Sequence, residues 1–290
     1  MLAKEQFLTM CAKGPVILDG ATGSNLRKAG MPKACCTEQW VLDHPEILQQ
    51  LQREYAAAGT QIIYAPSFQA QPIALQQAGI TETAEAYNAK LVALSREAAP
   101  DCLIAGDLTT LSAFCDSWDP ENFDLLVENY SHQIRGLIDG GADLLVAETL
   151  VYEQEAEAIL AAAEMEGAGA VMYSFTMQSG GYLYNGQDAG PVLKNLESLG
   201  AAAVGFNCVA ADMMTPYLVS KLRRFISGPI ICKPNAGSPI IDQNGDAQYD
   251  LSLSDFGNIM RQCHQNGAAL LGGCCGTTPA HIAQIKNVLK

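Results

Sequence analysis

The sequence predicts an α/β fold of the (β/α)8 TIM-barrel type, on three observations. Eight short apolar runs recur along 290 residues, an amphipathic stretch follows each, and no composition shift or low-complexity linker divides the chain. The runs are nearly continuous in hydrophobicity, as expected of parallel strands covered by helices on their outer face. Strict alternation of eight such pairs favours a closed barrel over its main competitor, a doubly wound open sheet. The open sheet usually carries a glycine-rich phosphate loop after an early strand, and the sequence has neither G-x-G-x-x-G nor a Walker A motif. The expectation is one barrel domain over residues 1–290.

In chain order the expected strands are Val16 to Asp19, Gln61 to Ala65, Leu103 to Asp107, Leu144 to Glu148, Ala170 to Phe175, Ala202 to Asn207, Pro229 to Lys233 and Ala268 to Gly272. Helical stripes occupy roughly 45–58, 82–98, 123–138, 152–166, 190–199, 212–226, 252–266 and 279–289. Phe123, Leu126, Val127, Tyr130, Ile134, Leu137 and Ile138, for example, fall in steps of three and four on one face. Gly59, Gly140, Gly200 and Gly267 stand where a left-handed residue would end a helix and return the chain to a strand.

A formal charge of −14 disfavours a nucleic-acid backbone or an anionic membrane as partner, and fits either solubility or a basic protein partner. The N-terminus has no signal-peptide pattern and no segment approaches a membrane span, so the expected location is cytoplasmic. In a reducing compartment ten cysteines read as metal-binding, catalytic or small buried residues rather than a disulfide framework.

In a barrel, reactive groups sit where strands end and βα loops begin. Those points hold Asp19-Gly20-Ala21-Thr22-Gly23, Asp107, Glu148, Ser174-Phe175, Asn207-Cys208, Pro234-Asn235-Ala236-Gly237 and Gly272-Gly273-Cys274-Cys275-Gly276. Adjacent cysteines seldom bridge each other, because the small ring strains the peptide bond and the disulfide torsion. As metal ligands they face no such difficulty, and the flanking glycines let a turn aim both sulfurs at one ion. Cys208, two strands away around the ring, is within reach of the same point. Three thiolates with an open fourth position describe a catalytic zinc site. Cys35-Cys36 lies in the long first loop with no strand end behind it and reads as incidental, against an accessory redox or metal role. Cys11, Cys102, Cys115, Cys232 and Cys263 give no reason to prefer function over packing. No histidine forms a ligand pair, and a serine triad has no G-x-S-x-G elbow to sit on.

These residues resemble the homocysteine S-methyltransferase family over essentially the whole chain. The likeness rests on Gly272-Gly273-Cys274-Cys275-Gly276-Thr277-Thr278-Pro279 with His281-Ile282, on Gly205-Phe206-Asn207-Cys208, and on Asp19-Gly20-Ala21, Glu148-Thr149, Ser174-Phe175 and Pro234-Asn235-Ala236-Gly237. The resemblance implies zinc held by Cys208, Cys274 and Cys275. It implies homocysteine held at Asp19, Gly20 and Glu148, with Ser174, Phe175 and Asn207 beside them. Glu148 could pair with the substrate ammonium, and amides of Gly20 to Gly23 could meet its carboxylate; an internal salt bridge or helix cap is the structural alternative for Asp19 and Glu148. Two stretches depart from the family pattern: Ala65-Pro66-Ser67-Phe68 replaces a frequent Thr-Asn-Thr-Phe, and Gly106-Asp107-Leu108-Thr109 replaces a common Gly-Pro. Both lie on the rim where a donor would approach.

The Cys274-Cys275-Gly276-Thr277-Thr278-Pro279 form is closest to the zinc module of cobalamin-dependent methionine synthase. That implies methylcobalamin or another methylcorrinoid as donor, expected on a separate protein because Lys290 follows the eighth helix with no room for a corrinoid module. A sulfonium such as S-methylmethionine, or betaine, is the alternative donor. A non-catalytic zinc-binding subunit is the alternative of another class, which the amino-acid pocket at Asp19 and Glu148 opposes.

Overall fold

The computed structural model describes residues 1–178, 180–243 and 245–290. Its main sheet takes β1 (Val16–Ile17), β2 (Ile62–Tyr64), β3 (Leu103–Leu108), β4 (Leu144–Leu150), β5 (Val171–Phe175), β6 (Ala203–Ala210) and β7 (Ile230–Asn235). A short hairpin of β8 (Ile240–Ile241) and β9 (Ala247–Gln248) follows, and β10 (Ala268–Leu271) completes the main sheet. All neighbours in the eight-stranded sheet run parallel, in the order β1-β10-β7-β6-β5-β4-β3-β2. A parallel bridge between Leu18 and Ile62, with the Gln61 amide donating to the Ile17 carbonyl at 2.8 Å, joins β1 to β2 and closes the ring. The (β/α)8 barrel is therefore the observed fold.

The outer helices are α4 (Pro45–Ala58), α6 (Ala84–Ala98), α7 (Phe123–Asp139), α8 (Glu153–Met165), α9 (Ala189–Leu199), α10 (Thr215–Arg223), α11 (Leu253–Gln265) and α12 (Pro279–Val288). Each coincides with an expected stripe to within three residues. Additional short helices are α1 (Lys4–Cys11), α2 (Gly23–Lys28), α3 (Thr37–Asp43) and α5 (Pro72–Gln77). Gly59, Gly200 and Gly267 adopt the expected left-handed backbone, with φ of 107°, 120° and 110°. Gly140 does not: its φ is −72°, and the left-handed residue is Gly141 at φ 84°. The reason for glycine at 140 is close packing, since a Cβ there would lie 2.7 Å from the Ala89 Cα of α6.

Inside the ring, Val16, Leu18, Ile62, Ala105, Leu144, Val146, Met172, Ile231 and Leu270 form one apolar cluster, with Phe7 of α1 buried among them. The N-terminal segment is fastened there by the Leu2 amide to the Asp143 carbonyl (2.6 Å) and the Ala170 amide to the Leu2 carbonyl (2.9 Å). Side chains on one face of a strand recur every second residue. Counting two residues beyond Ala105, Val146, Met172 and Ile231 gives Asp107, Glu148, Ser174 and Lys233, all buried. The apolar filling thus ends in a polar layer at the carboxyl ends of the strands. Among the described residues, no helix is long and apolar enough to cross a membrane.

Candidate active site

Two strands bend at this layer. Pairing of β4 with β5 shifts register between Ala147 and Leu150, and pairing of β6 with β7 shifts between Asn207 and Ala210. At each shift a residue other than glycine takes left-handed backbone, Thr149 at φ 60° and Cys208 at φ 57°. Such conformations cost on the order of 1–3 kcal/mol and persist where surrounding contacts impose them. Here the contacts run through Asn207, which is fully buried. Its Oδ1 accepts from the Thr149 amide (2.8 Å) and the Ser174 hydroxyl (2.9 Å), while its Nδ2 donates to the Thr149 hydroxyl at 2.7 Å. Both bends are thereby locked to one amide.

The Cys208 bend brings its sulfur to the turn after β10. The Cys208 and Cys275 sulfurs are 3.9 Å apart, and those of Cys208, Cys274 and Cys275 all lie within 4.8 Å of one another. Sulfurs about 2.3 Å from a tetrahedrally bound zinc would stand roughly 3.8 Å apart, so the three fit one such ion, with the cavity on the fourth side. The turn itself is fixed by the Cys274 amide to the Pro234 carbonyl (2.7 Å), the Ala236 amide to the Cys275 carbonyl (2.9 Å) and the Thr277 hydroxyl to the Cys274 carbonyl (2.7 Å). Gly276 is left-handed at φ 80°, and a Cβ there would meet the ring of Tyr249 at 2.3 Å. Hydrogen bonds from Cys208 and Cys274 hold the Cys275 thiol down to about 3, whereas the same contacts with Cys274 and Cys275 push Cys208 far up. The Tyr249 hydroxyl also acts on the Cys275 sulfur in the same direction.

The three cysteines open onto a cavity of about 350 Å³ that Asp19, Gly20, Asp107, Glu148 and Lys233 also border. Lys233 is 3 % exposed and stands 3.4 Å from Asp19 Oδ1 and 3.5 Å from Glu148 Oε2, with its ammonium 4.5 Å from the centre of the Tyr64 ring. Asp19 Oδ2 accepts from the Tyr64 amide at 2.8 Å. Burial raises Asp19 and Glu148 each to about 6, with Lys233 opposing the rise. The same two carboxylates hold the Lys233 ammonium well above the usual lysine range against the effect of burial. The internal salt bridge weighed for Asp19 and Glu148 is therefore present, and both residues still border the cavity.

Gly20 passes so close to its neighbours that a Cβ would lie 2.6 Å from the Tyr55 hydroxyl and 2.9 Å from that of Thr277. The Ala21 amide is committed to Thr277 Oγ1 at 3.1 Å, which ties the first loop to the cysteine turn. Ser174, Phe175 and Asn207 lie behind the cavity wall: Ser174 supports Asn207, and Phe175 is part of the core around the barrel. Cys35 and Cys36 stay away from the sulfur cluster, but Cys36 Sγ is 3.4 Å from Glu38 Oε2. Glu38 is buried, borders the cavity and accepts from the Gln69 amide at 2.8 Å.

Lys233, Glu38 and Tyr249 were not expected from the sequence. Lys233 was legible, because period-two counting from Ile231 turns it into the barrel. Glu38 and Tyr249 sit on α3 and beside β9, where no periodic pattern announces which way a side chain faces.

Comparison with known proteins agrees with this geometry. The chain is 26% identical over 293 residues to homocysteine S-methyltransferase YbgG of Bacillus subtilis, covering 93% of each protein. It superposes on the metallated form of the homocysteine methyltransferase MmuM of Escherichia coli with a TM-score of 0.81 at 26% identity, covering 96% of this chain and 98% of that one. On the apo form of MmuM the TM-score is 0.74 at 25% identity, over 97% and 98%. The family profile described as homocysteine S-methyltransferase matches residues 16–289, and the chain is a methyltransferase belonging to the homocysteine S-methyltransferase family.

Proposed function

We propose that this barrel, spanning residues 1–290, binds zinc through Cys208, Cys274 and Cys275 and methylates the thiol of homocysteine to give methionine. The observation that carries the reading is the convergence of three sulfurs, from β6 and the turn after β10, on a cavity that Asp19, Glu148 and Lys233 also border. Bound there, zinc would supply a deprotonated acceptor: a free thiol is only about 3% thiolate at pH 7, so full deprotonation is worth roughly 30-fold.

The protein residues do the remaining work. The carboxylates favour an ammonium in the cavity over an uncharged chain end. With the Ala21 amide committed to Thr277, the other amides of the 20–23 turn are left for the substrate carboxylate. The acceptor sulfur then attacks the donor methyl in line; a sulfur–carbon bond forms, the bond from methyl to donor breaks, and its electron pair leaves with the donor. Holding both partners in that line supplies rate by proximity.

For the donor, the Cys274-Cys275-Gly276-Thr277-Thr278-Pro279 turn supports a methylcorrinoid such as methylcobalamin, presented at the cavity mouth by a separate protein. The buried Glu38 favours a second reading, a cationic sulfonium or betaine small enough to enter the cavity. The test supplies zinc-loaded protein and homocysteine with methylcobalamin (free and on a corrinoid protein), S-methylmethionine or betaine in turn, and follows methionine. No product from any of them would overturn the proposal.

A further inference from the structure

Asp107 is a cavity carboxylate beside Glu148 that the resident lysine does not pair; Glu38, the other one, already accepts from the Gln69 amide. Asp107 is buried and borders the cavity, yet its Oδ1 has no hydrogen-bond partner. Lys233 is divided between Asp19 and Glu148, and among the described residues no ion pair reaches Asp107. Its backbone is held from both sides. The Ser67 hydroxyl donates to the Asp107 carbonyl at 2.9 Å and accepts from the Asp107 amide at 3.0 Å, and Gln133 Nε2 donates to the same carbonyl at 3.3 Å. The backbone is thus fixed while a buried side-chain oxygen is left without a partner, and an unsatisfied buried polar atom is costly. Burial and the neighbouring Glu148 also raise its pKa well above the usual carboxylate range, with Lys233 opposing the rise.

Resting on the reading that the acceptor is an amino-acid thiol, we infer that Asp107 receives the substrate's α-ammonium and so selects thiols that carry a primary amine. Glu148 is less free to do so, since its Oε2 already faces both Lys233 and Asn207 Nδ2 at 3.5 Å. One cation entering next to Asp107 supplies the partner that its Oδ1 lacks and favours the ionised carboxylate, and the same cavity disfavours an N-acylated or des-amino thiol, which brings no cation.

The test measures binding of homocysteine and of 4-mercaptobutyrate, which lacks the amine, to zinc-loaded wild type, Asp107→Asn, Asp107→Ser and Glu148→Gln by calorimetry, with steady-state kinetics alongside. Removing one partner of a buried charge pair should weaken homocysteine by at least about 30-fold, mostly in KM, and leave 4-mercaptobutyrate within about threefold. Retained preference for homocysteine in both folded Asp107 variants, with the preference lost in Glu148→Gln, overturns the assignment and gives the ammonium to Glu148. If the wild type binds neither thiol, the thiol-acceptor reading itself has failed. Thermal melting separates loss of fold from loss of binding, because replacing a buried carboxyl whose oxygen has no partner should leave Tm unchanged or higher.

Discussion

At its N-terminal end the barrel is stopped by Phe7, fully buried among inward-facing Leu18, Ile62 and Leu270, with strand-like bonds from Leu2 sealing the edge. At the other end β3, β4 and β7 carry Asp107, Glu148 and Lys233 into an open cavity. One end gains stability from apolar burial, and the other gives some up by burying charge. Substitutions at the two ends should therefore separate stability from activity.

The largest effect belongs to the cavity end. Cys274→Ala should reduce retained zinc, measured by metal analysis after dialysis, from about one ion per chain to none, and turnover with it; full zinc retention would refute the ligand assignment. Lys233→Met should follow, since it strips the cation from two buried carboxylates: a loss of about 3–5 kcal/mol in urea unfolding at pH 7 is expected, shrinking toward pH 5 as those groups take up protons. At the closed end Phe7→Ala should cost about 3–5 kcal/mol in the same assay, with KM for the thiol unchanged. A shift in KM there would break the comparison.

The pH dependence is subtler. Asp19 is raised from 3.8 to about 6, so the folded protein holds that proton more tightly than the unfolded chain. Its contribution to stability is fully present below pH 4 and is lost as pH rises through 6, a change on the order of 3 kcal/mol. Unfolding of the metal-free protein followed from pH 4 to 8 should show this slope, and Asp19→Asn should flatten it. Binding of an ammonium substrate should move the other way, strengthening as the pH rises through 6. The smallest effect is expected at Cys35→Ser, within about 0.5 kcal/mol and with zinc stoichiometry intact; lost zinc would make the Cys35-Cys36 pair a metal site.

The barrel could be read from the sequence because parallel strands buried on both faces are apolar throughout and long helices repeat their stripe several times. The helices α1, α2, α3 and α5 lacked such signals, being eight residues or fewer and held by tertiary contacts. The sulfur cluster was legible because Cys274-Cys275 and Cys208 stand at strand ends, and the structure brings all three together. Lys233 is harder to read because it ends an apolar run, Ile230-Ile231-Cys232, in which both faces of the strand are apolar and neither is marked as the inner one. At Gly140 and Gly141 the sequence offers two glycines for two different needs, one for helix contact and one for left-handed backbone, and spacing alone does not divide the roles.

The Asn207 amide holds the bend that carries Glu148-Thr149 and the bend that carries Cys208. Whatever occupies the cavity beside Glu148 and whatever sits on the Cys208 sulfur therefore adjoin one mechanical joint, a route by which one could influence the other. Linkage is reciprocal: if zinc and homocysteine bind as proposed, any factor by which one changes the affinity of the other is the same in both directions. Zinc dissociation measured with and without the thiol gives that factor, and Asn207→Ala, by cutting the joint, should bring it closer to the value set by direct contact alone.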